Sequence, residues 1–260
     1  MKLYQSLEYQ VSDRIAFITL NRPEADNAIN HLMIVELEDA ILSAEQDVSV
    51  KVILLRAHGA HFSKGFDEEY LGQVIHYNME QNRADSQALA HLLMSFYRAT
   101  KVIIAQVQGD ATAIGAALIC ACDVVFAAEE ASIGFPEVHM GLVPAVVMPF
   151  LLRRVGEIRT KELLFSGMPL AAPRAAAINL INQALPAEEL PGHTEVWARH
   201  LCQHASPASL QLMKKMIADL QDFPMENAIK FVGRMNAYAR ATEDAKRGMV
   251  SSLQQNKIEW

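Results

Sequence analysis

Short apolar segments alternate with amphipathic segments between about residues 14 and 182. The apolar segments predict buried strands over Ile15 to Leu20, Val50 to Ala57 and Val102 to Val107. The segment His31 to Glu45 repeats apolar residues at helical spacing, and Asn30 precedes it as an N-cap, so it predicts a helix. This alternation is typical of strand–helix–strand crossover units, and it predicts an α/β fold.

The predicted helices have one apolar face each. In the first helix the apolar positions leave Glu36, Glu38 and Asp39 on the face that we expect to point to solvent. A second helix is predicted over about Asp85 to Ala99, where leucines and a phenylalanine form one stripe. Both stripes are typical of helices packed on a core.

From Glu188 onward the pattern becomes helical throughout. Ser206 and Pro207 predict the start of a helix that runs through Leu220, and Pro224 predicts the start of another. So short a helical region buries too little surface to be stable alone. We therefore predict a core over residues 1–190 and a helical oligomerisation region over residues 191–260.

Composition and charge exclude several functional classes. A net charge of −7 and an isoelectric point near 5.7 argue against nucleic-acid binding. No apolar run approaches the ~18 residues that would cross a bilayer, and the first eight residues lack the apolar stretch of a signal peptide. We therefore expect a cytoplasmic protein that contacts no membrane. The three cysteines lack partners at metal-ligand spacing, so we expect packing roles and no metal site.

The segment from Val102 to Pro144 carries the clearest chemical pattern. A buried strand leads through a turn at Gly109 into a helix of small residues over Ile114 to Cys122, whose N-terminus would point N–H groups at a negative charge. Shortly afterwards, a proline-fixed turn carries Glu137. The order predicts a pocket in which a polarised carbonyl group meets one acid.

Several blocks give this chain a specific resemblance. They are Arg22 to Asn30, Phe62 to Asp67, Val107 to Gly109, Cys122-Asp123, Phe135 to Glu137, Gly141 to Pro144, Arg154 to Gly156 and Lys161 to Leu164. In order and spacing they are similar to the signatures of the enoyl-CoA hydratase/isomerase, or crotonase, superfamily, and together they cover nearly the whole chain.

The resemblance implies a spiral of ββα units followed by a helical trimerisation region, in a homotrimer or a hexamer. It implies chemistry on acyl thioesters without a metal or redox cofactor. In this family two backbone N–H groups bind the thioester oxygen and stabilise an enolate. The matching positions here are Phe66 and Ile114.

One departure from the family pattern narrows the expected reaction. Hydratases of the family carry two glutamates, but here the first position is Ala117 and only the second is kept, as Glu137. Members with one glutamate include enoyl-CoA isomerases and the dehydratases of polyketide β-branching, which act on a 3-hydroxy-3-methylglutaryl group. The block Leu142 to Gly156 is similar to one in those dehydratases. We therefore expect formation of a 3-methylglutaconyl thioester, with the isomerase and a non-catalytic scaffold as alternatives.

Other residues are candidates for the acid partner, the substrate and the carrier. His139, two residues after Glu137, and His61 and Lys64 near the oxyanion loop could contact the substrate or supply a proton. The substrate would be carried on the phosphopantetheine of an acyl carrier protein, or on CoA. A carrier protein is acidic, and the candidate basic residues are Arg153, Arg154, Arg159 and Lys161.

Overall fold

The computed structural model describes residues 3–260; the first two residues of the N-terminal segment lie outside this range. Nine strands form two sheets within the described range. They are β1 (Leu7–Ser12), β2 (Ile15–Leu20), β3 (Val52–Ala57), β4 (Val102–Val107), β5 (Ala111–Thr112), β6 (Val124–Ala128), β7 (Ser132–Gly134), β8 (Leu170–Ala171) and β9 (Gln183–Leu185). The larger sheet has the order β1-β2-β3-β4-β6-β9, and the smaller has the order β5-β7-β8.

Ten α-helices pack on or extend from these sheets in the described residues. They are α1 (His31–Gln46), α2 (Glu68–Val74), α3 (Met79–Arg98), α4 (Ile114–Ala121), α5 (Met148–Ser166), α6 (Ala172–Ala177), α7 (Leu190–His204), α8 (Pro207–Leu220), α9 (Met225–Ala241) and α10 (Glu243–Leu253). The prediction of an α/β fold is thus confirmed.

The larger sheet is parallel except for its first hairpin, in which β1 and β2 are antiparallel. Every residue of β2 and of β4 is buried, as expected for strands covered on both faces. The strand β4 lies beside β3 and β6 and leads directly towards α4. The centre of the sheet therefore positions the N-terminus of α4.

Helix termini follow the expected capping chemistry at several places. The Asn30 side chain accepts a hydrogen bond from the Met33 N–H at 3.0 Å, and Ser206 does the same for Ser209 at 3.1 Å. The α3 prediction was wrong at its start, because the helix begins at Met79, six residues before Asp85. There Asn78 and Gln81 exchange side-chain and backbone hydrogen bonds in a capping box.

The prediction that Glu36 points to solvent was also wrong. Its side chain is buried, and its carboxylate accepts hydrogen bonds from the N–H groups of Gln5 and Ser6 at 2.7 and 2.8 Å. A buried carboxylate is stable only with such partners. Glu36 therefore fastens the N-terminal segment to α1.

The three cysteines are free and buried, in agreement with their predicted packing role. Burial raises the pKa of Cys120 to about 11 and that of Cys122 to about 12, so neither is a reactive thiolate near neutral pH. No helix within residues 3–260 combines the length and the apolar character needed to cross a membrane. The same range contains no cluster of histidine, cysteine, aspartate and glutamate that could hold a metal ion.

Candidate active site

A cavity of about 270 Å³ lies between the N-terminus of α4, helices α2 and α3, and the segment after β7. Its wall is mostly apolar. The lining residues are Phe66, Tyr70, Leu71, Val74, Asn82, Asp85, Ser86, Leu89, Leu93, Ile114, Ala117, Glu137 and 142–147. Phe66, Ile114 and Glu137, which were predicted to act together, all line this cavity.

Glu137 is held in a short 3₁₀ helix, Pro136–Met140, that follows β7. Pro136 occupies its first turn, and Phe135, fully buried, anchors the chain before it. Glu137 is only 5% exposed, and its Oε2 has no hydrogen-bond partner among the described residues. Burial raises the pKa of this carboxyl above its usual range. A desolvated carboxylate with a free oxygen is suited to take a proton from a bound molecule.

The backbone N–H groups of Phe66 and Ile114 are available to a ligand. Within residues 3–260 neither donates a hydrogen bond to another group. Ile114 is the first residue of α4, where an N–H has no partner inside the helix and the helix dipole is positive. Two such donors can bind the oxygen of a thioester carbonyl as it becomes negative.

Close backbone packing fixes the two donor segments against each other. The loop before Phe66 pairs with β5, since Ser63 donates to the Asp110 carbonyl at 3.1 Å and accepts from the Thr112 N–H at 2.9 Å. A Cβ on Gly115 would lie 2.6 Å from the Cβ of Ser63, so no side chain fits there. The relative position of the two N–H groups is therefore set by packing.

A strained residue joins β5 to α4. Ala113 has φ 48° and ψ −121°, a left-handed conformation that favours glycine. Its N–H donates to the Gly134 carbonyl at 2.9 Å, which ties the turn to β7. Strain of this kind persists where surrounding contacts determine the backbone, and here it lies immediately before Ile114, which lines the cavity.

Ala117 lies one turn after Ile114 and also lines the cavity. Its methyl group leaves the wall apolar at the position where the resemblance places the first glutamate of a hydratase. Glu137 therefore faces a wall that carries no acid at this point.

Part of the cavity wall is polar, which the sequence did not predict. Tyr70 in α2 donates a hydrogen bond from its hydroxyl group to Asp85 Oδ1 in α3 at 2.6 Å, and both side chains line the cavity. The Tyr70 ring also stacks on the Phe66 ring at 5.6 Å between centroids. Burial and the neighbouring Asp85 carboxylate raise the pKa of Tyr70, so its hydroxyl group stays protonated. The Asp85 side chain is only 12% exposed.

Three further candidates lie outside the cavity lining. His139 is exposed, and its Nε2 lies 2.9 Å from the Ser166 carbonyl oxygen. His61 lies between Asp26 and Asp110 at 3.9 and 3.7 Å, and Lys64 pairs with Asp26 at 3.1 Å. The structure therefore does not bring His139, His61 or Lys64 to Glu137: His139 contacts the end of α5, and His61 and Lys64 contact aspartates outside the cavity lining.

Comparisons with known proteins agree with this geometry. The family model described as enoyl-CoA hydratase/isomerase matches residues 10–260. A provisionally named enoyl-CoA hydratase from Thermus thermophilus is 34% identical, covering 90% of this chain and 92% of that protein. The 2,3-dehydroadipyl-CoA hydratase of Escherichia coli is 28% identical, covering 93% and 92%. The crystal structure of an enoyl-CoA hydratase from Shewanella pealeana superposes with a TM-score of 0.94 at 25% identity, covering 98% and 96% of the two chains. This chain belongs to the enoyl-CoA hydratase/isomerase family.

Proposed function

We propose that the protein removes water from a 3-hydroxyacyl thioester, with Glu137 as the base. The observation that carries this proposal is the position of one buried, unpartnered carboxylate in the same apolar cavity as two free N–H groups. The relatives are named for the addition of water to enoyl-CoA, which is the reverse of this reaction. These names support an acyl thioester as the substrate class.

The chemistry requires only this chain's own groups. The thioester oxygen would accept hydrogen bonds from the Phe66 and Ile114 N–H groups, each of which can stabilise the enolate by ~3 kcal/mol. Glu137 would take the α-proton, and the electron pair of the broken C–H bond would form the enolate. Collapse of the enolate would form the carbon–carbon double bond and break the bond to the hydroxyl group, which leaves as water with the proton that Glu137 returns.

The finer proposal is that the acyl group is 3-hydroxy-3-methylglutaryl and that the product is the 3-methylglutaconyl thioester of polyketide β-branching. With Ala117 at the first family position, Glu137 is the proton-transferring acid, and the apolar wall around it suits a branched chain. None of the described lining residues is lysine, arginine or histidine, so the distal carboxylate of this group would have to stay in solvent. The E. coli relative is named for an acyl chain that also ends in a carboxylate.

The basic residues proposed to contact a carrier protein have partners within this chain. Of the four candidate basic residues, Arg154 donates to the backbone carbonyls of Cys120 and Leu180, both at 2.9 Å, and thus braces the core. The others pair with acids of this chain: Arg153 with Asp222, Arg159 with Glu162, and Lys161 with Glu157. Little free positive charge is left for an acidic carrier, so the choice of acyl carrier protein rests on the sequence block Leu142 to Gly156.

The test uses 3-hydroxy-3-methylglutaryl groups on an acyl carrier protein and on CoA, with loss of water followed by intact-mass spectrometry. Wild type is expected to lose water from the acyl group, and Glu137→Gln to be slower by about 1,000-fold, as for removal of a catalytic acid–base group. Glu130→Gln, which changes an exposed glutamate outside the cavity, is the matched control.

The outcomes separate the alternatives. Faster loss on the carrier protein would support polyketide branching, and faster loss on CoA would assign the enzyme to free acyl-CoA. No loss on either carrier, together with double-bond migration in a 3-enoyl thioester, would replace the dehydratase by an isomerase. Absence of both reactions in wild type would leave a non-catalytic scaffold.

A further inference from the structure

The cavity contains a second carboxylate whose surroundings differ from those of Glu137. Asp85 projects from α3, while Glu137 projects from the segment after β7, and both line the same space. Oδ1 of Asp85 accepts the hydrogen bond from the Tyr70 hydroxyl group, and His31 Nε2 lies 3.8 Å from the same oxygen. Among the described residues no group donates a hydrogen bond to Oδ2. One oxygen is thus fixed and the other is available.

The fixed oxygen makes Asp85 a defined acceptor. The Tyr70 ring packs against the rings of Phe66 and His31, at 5.6 and 4.6 Å between centroids, and these contacts help to hold its hydroxyl group at Asp85. The His31 ring is in turn held by the Tyr77 hydroxyl group at 3.0 Å from Nε2. A carboxylate oriented by packed neighbours loses little conformational freedom when it binds a ligand.

The remaining oxygen selects a particular ligand chemistry. An ionised carboxylate accepts hydrogen bonds and has no proton to donate, so it binds a hydroxyl group or a cation and repels an anion. The described lining residues carry no cation that would neutralise it. In a 3-hydroxyacyl thioester whose carbonyl oxygen lies at Phe66 and Ile114, the β-hydroxyl group of the acyl chain is the neutral hydrogen-bond donor beyond the carbonyl group.

We propose that Asp85, oriented by Tyr70, accepts the hydrogen bond of the substrate's β-hydroxyl group and holds it where Glu137 can protonate it. This inference rests on the proposed function and deepens it, because it assigns the contact that distinguishes a 3-hydroxyacyl thioester from an acyl thioester without the hydroxyl group. Asp85 takes no proton: the α-proton passes to Glu137 and from there to the leaving oxygen. Donation to an anion makes that oxygen more basic, which favours its protonation.

The charge of Asp85 also sets the direction of the acyl chain. With the hydroxyl group directed at Asp85, the distal carboxylate, which a methylene group joins to the same carbon, would be repelled from Asp85. It would therefore lie towards solvent, as the proposed substrate requires. Asp85 thus attracts the hydroxyl group on the branched carbon and repels the arm that carries the distal carboxylate.

The experiment compares two reactions that share the α-proton step. The first is loss of water from 3-hydroxy-3-methylglutaryl-CoA. The second is deuterium uptake at the α-carbon of 3-methylglutaryl-CoA, which lacks the hydroxyl group, measured in heavy water by mass spectrometry. The variants are Asp85→Asn and Tyr70→Phe, with Glu80→Gln on the exposed first turn of α3 as the charge-matched control.

We expect Asp85→Asn to slow water loss about 100-fold, as for a misplaced reacting group, and to leave deuterium uptake within twofold of wild type. Tyr70→Phe keeps the ring contacts and removes only the donor to Asp85, so we expect about a tenfold fall in kcat for water loss with a nearly constant KM and unchanged deuterium uptake. Glu80→Gln should change neither reaction. Unchanged deuterium uptake also establishes that each variant is folded.

Two results would overturn the inference. Wild-type rates of water loss in Asp85→Asn would mean that Asp85 does not hold the hydroxyl group, and equal loss of both reactions would mean that it supports the site in general. Glu137→Gln separates these from a failure of the proposed function: it should slow both reactions about 1,000-fold, and wild-type activity in this variant would contradict the role of Glu137 whatever Asp85 does.

Discussion

Every residue of β2, β4 and α4 is buried, whereas α8, α9 and α10 contain only residues that are exposed or partly buried. The first region is covered by the chain's own core, and its packing fixes the donors of Ile114 and Phe66. The second region exposes large apolar side chains, namely Met213, Ile217, Phe223, Met225, Ile229, Tyr238, Met249, Val250 and Leu253. The site is thus built where this chain alone determines the backbone, while the C-terminal helices have apolar faces suited to another subunit. The predicted homotrimer or hexamer remains a prediction.

The same substitution should have opposite effects in the two regions. Gly115→Ala places a Cβ 2.6 Å from that of Ser63, so we expect a loss of ~3 kcal/mol in the free energy of unfolding and about 100-fold in activity. Gly233→Ala lies in α9, where nothing is within 4 Å of the new Cβ, and should stabilise the helix by ~1 kcal/mol without changing activity. Chemical denaturation and turnover rates check both. A destabilised Gly233→Ala variant would mean that this face of α9 is covered.

The next largest effect is expected where α8 is attached to the core. Lys214 in α8 is mostly buried, and its Nζ donates to Asp123 at 2.7 Å and to the carbonyls of Phe96 and Lys101 at 3.1 and 3.0 Å. Lys214→Met leaves Asp123, partly exposed, without its cation, so we expect a loss of ~2 kcal/mol.

Lys215→Met, on the exposed neighbouring position, is the control for loss of a positive charge in α8. It should change the free energy of unfolding by less than ~0.5 kcal/mol. Equal effects of the two variants in thermal or urea unfolding would show that the contacts of Lys214 do not hold α8 to the core.

Substitution in the strained turn before α4 should have the smallest effect, and it should raise the free energy of unfolding instead of lowering it. Ala113→Gly relieves a conformation that disfavours a side chain, so we expect a gain of ~1 kcal/mol in the free energy of unfolding and unchanged activity. Ala116→Gly, inside the same helix, should lose ~1 kcal/mol or more. If both variants lose stability, the backbone at Ala113 is not strained in solution.

The sequence predicted the parts of the fold that depend on local pattern. The bounds of β2 and β4 agree residue for residue with the prediction, since each has one polar residue among five apolar ones, and α8 begins and ends as Ser206, Pro207 and the apolar spacing indicate. Short strands such as β5 and β8 have two residues each, and only pairing with β7 defines them. No local pattern can reveal such pairing.

The candidate site residues also fall into those that local motifs indicate and those that only tertiary contacts reveal. Glu137, Phe66 and Ile114, which line one cavity, could be selected as candidates because motifs of known spacing surround them. Glu36 was misjudged because its partner Ser6 is 30 residues away, and Asp85 was overlooked as a site residue because its partner Tyr70 is on a different helix. Polar residues on an apolar helix are assigned to solvent by default, and only tertiary contacts overturn that assignment.

The most direct test of the central claim is the pH dependence of deuterium uptake at the α-carbon of 3-methylglutaryl-CoA, in wild type and in Glu137→Gln. A carboxylate base works only after it has lost its proton, and burial raises the pKa of Glu137 above its ordinary value of 4.5. Uptake by wild type should rise with pH through one ionisation whose midpoint lies above 4.5, and uptake by the variant should be about 1,000-fold slower and lack this ionisation. Uptake at the wild-type rate in Glu137→Gln would contradict this prediction.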